Sequence, residues 1–144
     1  DIARFRSAAF ENIAISDRDG EEDFLTVEEG FLQMGGLLKF FDEKILENNV
    51  RVNKSHKEKI TRIRTSSLNS LLEKHEMFKV DYCSIDVEGA EVGVISRFDF
   101  GRFDIKVISI ENARQQKNEI FDLMEKNSYT LKSVIGADEI WSKI

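Results

Sequence analysis

Val80-Asp-Tyr-Cys-Ser-Ile-Asp-Val-Glu-Gly-Ala-Glu91 decides the fold. From Lys79 to Ile85 β-formers dominate, and the run stops abruptly on Asp86, Glu88, Gly89 and Glu91. Ala90 to Phe98 then has helical spacing, with Val94, Ile95 and Phe98 on one side. The segment therefore predicts a strand, a tight acidic turn and a helix. Asp104 to Glu111 (DIKVISIE) follows, almost continuous in apolar and β-branched residues, as expected of a strand covered on both faces. Strand, helix, strand, helix and a closing strand pair make an α/β sheet with parallel crossovers. In such sheets ligands sit beyond the carboxyl ends of the strands, which puts Asp86, Glu88 and Glu91 where a site belongs. The same carboxylates occupy the first turn of the next helix, where negative charge gains roughly 0.3 to 1 kcal/mol each. Plain helix capping is thus a competing explanation, and both stand at this point.

Upstream, Phe10 to Ser16 (FENIAIS) and Glu22 to Val27 (EDFLTV) are short β-rich runs around Asp19-Gly20, a tight-turn signal that predicts an N-terminal β-hairpin. Residues 28–59 read as a loop-rich insertion: Gly30, Gly35 and Gly36 interrupt it, and Leu37, Leu38, Phe40 and Phe41 give one short helical patch. Ile60 to Thr65 alternates like a strand. Ser66 or Ser67 then caps a helix whose Leu68, Leu71, Leu72 and His75 fall at i, i+3, i+4 and i+7. His75 reads as a packed or helix-end histidine rather than a catalytic one. Downstream, a helix over Ala113 to Lys126 buries Ile120, Leu123 and Met124, and Tyr129 to Ile135 and Asp138 to Ile144 form a strand pair joined through Gly136.

With 144 residues, 41% hydrophobic and 33% charged, the chain suits one domain with a real core and is too polar for a bilayer. A net charge of -6 argues against a protein built to coat nucleic acid. The local exception is Arg51 to Arg64, with six Lys or Arg residues and His56 against the single acid Glu58; it fits either an anionic partner or a solvated loop entering a strand. The 11 phenylalanines read as core, not as a base-stacking surface. Cys83, the one cysteine, reads as a small buried hydrophobe. The first residues lack the apolar segment of a secretion signal, so a cytoplasmic location is the default expectation, without membrane or nucleic-acid partners. The chain opens on Asp1, which suggests an excerpt of something longer.

The run from Val80 to Glu91, followed by Ile105-Lys-Val-Ile-Ser-Ile-Glu111, resembles the FkbM-type family of S-adenosylmethionine-dependent methyltransferases, whose hallmark is a strand ending in Ile-Asp-x-Glu-Gly-x-Glu. Asn12-Ile-Ala-Ile-Ser-Asp17 with Gly20, Thr65-Ser-Ser-Leu-Asn-Ser-Leu-Leu72, and Tyr129 through Gly136-Ala-Asp138 to Trp141 are similar to further segments of that family, in order. The resemblance spans Phe10 to Ile144. It implies a partial Rossmann-like class I methyltransferase sheet, from the third strand onward, of an arrangement ordered 3-2-1-4-5-7-6. The departure is as plain as the match: none of the eight glycines forms the G-x-N-x-G cofactor loop such a sheet opens with. Residues 1–144 are therefore expected to be a single, N-terminally truncated domain. The fourth strand, Val80 to Ile85, would then expose its edge, to be filled by the N-terminal hairpin or by a second chain in a homodimer.

By resemblance, the cofactor is S-adenosylmethionine, flanked by Ala14, Ile15, Ser16 and Asp86, and the activity is O-methylation of a sugar or other small natural product. Asp86 is the first candidate for general base or substrate orienter and Glu88 the second, because methyl transfer to oxygen needs a group that accepts the hydroxyl proton. Glu91 is better explained by the helix dipole. Glu111 either touches substrate or is a solvated strand end. The alternative is a catalytically incompetent partial domain that binds partners through its open edge or basic loop. A metal at Asp86, Glu88 and Glu91 ranks lowest, since the spacing matches no calcium loop, and no metal is expected.

Overall fold

The computed structural model describes residues 7–30, 32, 35–41, 44, 46–112 and 117–144. Two sheets of four strands carry the chain, with few helices. The N-terminal sheet holds β1 (Ala14–Ser16), β2 (Gly20–Glu29), β3 (Gly36–Leu37) and β4 (Lys57–Ser67), in the order β1-β4-β2-β3. The C-terminal sheet holds β5 (Lys79–Ile85), β6 (Asp104–Glu111), β7 (Tyr129–Ile135) and β8 (Asp138–Lys143), in the order β5-β6-β8-β7. Helices α1 (Leu68–Lys74), α2 (Glu91–Ser96) and α3 (Lys117–Lys126) follow β4, β5 and β6. The predicted helix start at residues 113–116 lies outside the described residues, as do residues 31, 33, 34, 42, 43 and 45 of the insertion. Among the described residues no helix is long and apolar enough to cross a membrane.

The expected N-terminal hairpin does not form. Thr65 pairs with Ala14 of β1 on one side and with Gly20 of β2 on the other, so β4 lies between the two runs and runs parallel to β1. Asp17 to Asp19 is an arch over the end of β4, not a hairpin turn. The Asp19 carboxylate anchors that arch, accepting from the Ser67 N–H at 2.7 Å, the Ser70 hydroxyl at 2.6 Å and the Ser66 hydroxyl at 3.2 Å. Charge complementarity favours the pairing. Acidic β2 faces basic β4 with Glu21 opposite Arg64, Asp23 opposite Arg62 and Glu29 opposite Lys57, and such cross-strand pairs favour this neighbour. The basic stretch from Arg51 to Arg64 is thereby partly matched within the chain: Lys57 and Arg62 pair with Glu29 and Asp23, and Arg51 bonds Glu47 and Glu58, each at 2.8 Å.

The insertion is shorter than expected, because β2 runs to Glu29 and β4 starts at Lys57. Its described part holds strand β3, a 3-10 turn at Leu38–Phe40, where the short helical patch was expected, and a five-residue helical turn at Leu46–Val50. At the other end of β4, Ser67 is the helix cap, its hydroxyl accepting the Ser70 N–H at 3.1 Å.

In the second sheet β5 and β6 are parallel and β8 runs antiparallel between β6 and β7, which gives the expected C-terminal strand pair. Ile105, Ile108 and Ile110 of β6 are fully buried, with Trp141, Tyr129, Ile120 and Met124 packed around them. Burying each such side chain is worth roughly 1.5 to 3 kcal/mol, so this cluster is the main core. Phe98 and Phe103 belong to it and Phe100 packs against it, whereas Phe10, Phe78 and Phe121 are exposed, so the core reading holds for only part of the phenylalanines. A smaller cluster of Leu25, Val27 and Leu46 supports the first sheet. Among the described residues β5 pairs only with β6, so strands β1 to β4 do not fill its outer edge, and Tyr82 on that strand is 57% exposed.

Candidate functional site

The tight loop after β5 is built from backbone that most residues avoid. Glu88 sits at φ 53° and Gly89 at φ 101°, a left-handed pair that favours glycine at the second position. Glu91, 3% exposed in the first turn of α2, holds this loop: its Oε1 accepts the N–H groups of Val87 and Gly89, both at 3.1 Å. Glu91 is thus committed to local amides, the role the capping explanation gives it. Asp86, by contrast, is exposed.

Asp86, Val87 and Glu88 line a cleft of about 330 Å³ together with Ile13, Ala14 and Ile15, Phe24, and Gly35 to Leu37. The cleft joins the C-terminal end of β5 to β1 and to the β2–β3 wall. That wall approaches closely because it is glycine: a Cβ on Gly36 would lie 3.3 Å from the Glu88 Cβ, and one on Gly35 would lie 2.9 Å from the Leu25 carbonyl oxygen. Of the residues assigned to the cofactor from sequence, Ala14, Ile15 and Asp86 meet here. Ser16 does not: it is 1% exposed, and its hydroxyl donates to Glu22 at 3.2 Å within a cluster that Lys39 neutralises.

Glu111 ends β6 beside these groups. Carboxylate oxygens of Asp86, Glu91 and Glu111 lie within 4.8 Å of one another. Burial first, then the negative charges of Asp86 and Glu88, push the Glu111 carboxyl up to about 7, and a hydrogen bond with Asp86 adds to the shift. The arrangement offers a proton-holding carboxyl beside an exposed one at the mouth of a largely apolar cleft. Oxygens so spaced also suit a hard divalent cation, although Glu91 already serves two amides.

Sequence reading named Glu111 without its link to Asp86, which comes from the parallel pairing of β5 with β6. It missed Ile13, Phe24 and the Gly35–Leu37 wall; the adjacent glycines at 35 and 36 were the one available signal. His75 stays at the end of α1, its Nε2 2.9 Å from Glu11 Oε1, and lines a separate apolar cleft with Phe10, Ile15 and Leu72. Burial raises the Cys83 thiol, which fits a packing role.

No curated protein and no solved structure matches the chain. The sequence model of the methyltransferase FkbM domain matches residues 3–131, and the chain therefore belongs to that family.

Proposed function

We propose that the chain is an S-adenosylmethionine-dependent methyltransferase domain acting on a hydroxyl of a sugar or other small natural product. One observation carries this reading: Asp86 and Glu88, at the carboxyl end of β5, share a cleft with Ala14 and Ile15. The order β5-β6-β8-β7 agrees with the fourth, fifth, seventh and sixth strands of a Rossmann-like class I sheet, whose ligands lie at that rim.

The residues suit such a cofactor. Apolar Ile13, Ile15 and Val87 give a flat heterocycle its walls, while Asp86 and Glu88 offer negative charge to cationic sulfonium and ammonium groups. When bound, the cofactor supplies an electrophilic methyl group. Asp86 orients the acceptor hydroxyl and accepts its proton as the new bond forms. Glu111, protonated below about pH 7, donates a hydrogen bond to Asp86 and holds it in place. Gly35 and Gly36 let the β2–β3 wall approach Glu88 closely and narrow the cleft at that rim.

Calorimetric titration with S-adenosylhomocysteine tests the reading: saturable heat supports it, and no heat at millimolar ligand removes it. Asp86→Ala should then cost about 100-fold or more in kcat with little change in cofactor affinity. The exposed outer edge of β5 favours a second reading, an interaction module that pairs this strand with a second copy. Sedimentation separates the two, since the module forms a dimer that Tyr82→Lys weakens whether or not cofactor binds.

A further inference from the structure

Three buried polar atoms near the carboxyl end of β6 have no partner: Asn112 Oδ1, Glu139 Oε2 and Trp141 Nε1. Their residues are 7%, 6% and 0% exposed. Asn112 lies one residue beyond Glu111, with its backbone N–H on the Ala137 carbonyl at 2.9 Å. Its Nδ2 donates to Glu139 Oε1 at 2.9 Å, which fixes the amide so that Oδ1 is left over as an acceptor. Glu139 and Trp141 sit two apart on β8, opposite Ile110 and Ile108, so they share one face of the sheet. Orphaned buried polar atoms are rare, so three on neighbouring residues point to a missing partner.

The inventory defines that partner. Two acceptors call for two O–H or N–H donors, and the indole N–H calls for a lone pair. An ammonium group has no lone pair and a phosphate dianion has no donor. Hydroxyl groups have both, and a vicinal diol supplies the whole set. We infer that Asn112, Glu139 and Trp141 form a hydroxyl-binding subsite that seats a vicinal diol of the acceptor, next to the Asp86–Glu111 rim. The inference rests on the methyltransferase reading for the word acceptor, and it narrows that acceptor to a polyhydroxylated molecule such as a pyranoside. An internal water offers the same hydrogen bonds and is the competing source.

Trp141 is the sole tryptophan, so its indole N–H gives a single resonance. Methyl glycosides of gluco, manno, galacto and rhamno configuration are titrated into the labelled protein to about 100 mM, enough to detect a Kd of about 10 mM. At least one should shift the indole cross-peak saturably, and Glu139→Gln should weaken that glycoside about tenfold by removing the charged acceptor. If Glu139→Gln does not fold, Asn112→Ala is read the same way. A cross-peak unmoved by every glycoside, a shift insensitive to both variants, or a water cross-relaxation signal at the indole that persists with glycoside present overturns the inference. The two readings fail separately: S-adenosylhomocysteine heat with a silent indole removes the subsite, and a saturable indole shift without that heat removes the methyltransferase reading.

Discussion

Replacing Glu111 by glutamine should make the protein more stable at alkaline pH and leave it unchanged at acid pH. The unfolded carboxyl titrates near 4.5, whereas in the folded chain burial and the Asp86 and Glu88 charges raise it to about 7. The folded state therefore holds this proton more tightly. Its stabilising contribution is complete below about pH 4.5, falls as the pH rises through the interval, and is gone above about pH 7. A shift of 7 less 4.5, or 2.5, corresponds at 1.36 kcal/mol per unit to about 3 kcal/mol as a ceiling. Glu111 is half-buried, and solvent screening reduces the expected effect to about 1 to 2 kcal/mol. Glutamine keeps a donor toward Asp86 and carries no charge, so it imitates the protonated acid at every pH. Urea unfolding of both proteins across that pH interval reads the difference directly, and a 13C titration of the Glu111 carboxyl gives its midpoint. A stability difference that stays flat from acid to alkaline pH, or a variant less stable than the parent at pH 8, would refute the placement of Glu111 beside Asp86.

Other changes follow from the same geometry. Gly35→Ala drives a Cβ to 2.9 Å from the Leu25 carbonyl oxygen, so it should cost about 1 to 3 kcal/mol in urea unfolding and loosen the cleft wall. Tyr129→Phe removes a buried hydroxyl that donates to the Ile105 carbonyl at 2.5 Å; a loss of about 1 to 2 kcal/mol is expected, seen as a lower Tm. The same phenol, raised to about 12 mainly by burial, should stay un-ionised in an ultraviolet titration through pH 11. Ser67→Ala deletes the α1 cap and should cost about 1 kcal/mol, whereas Ser67→Thr, which keeps the hydroxyl and adds no charge beside Asp19, should retain most of that stability.

How much was legible depended on how local the determining interaction is. Lys79 to Ile85, Asp104 to Glu111 and Tyr129 to Ile135 were readable to the residue because burial and β-propensity act within the strand itself. The Asp19-Gly20 turn was misread because its two flanking runs do not pair. Their shared partner, β4, begins 28 residues after β2 ends (57 less 29) and 41 after β1 ends (57 less 16), and charge complementarity favours it. The candidate site divides the same way. The acidic turn after β5 shows itself as carboxylates ending an apolar run, but its division of labour does not. Glu91 points at two amides while Asp86 and Glu88 line the cleft, and that difference depends on the left-handed backbone at Glu88 and Gly89.

The sequence by itself determined the mixed α/β character, the strand identities of the C-terminal sheet, the acidic group at the end of β5 and the family. Each of these is written in residues close together in the chain, through periodicity, turn chemistry or an ordered set of motifs. Only the tertiary structure decided that β4 separates β1 from β2, that the glycine wall at residues 35 and 36 closes on Glu88, and that Glu111 shares a proton environment with Asp86. The reason is physical: these depend on energies between side chains far apart in sequence, whose sign and size are set only once the backbone has fixed the distances and shut out water.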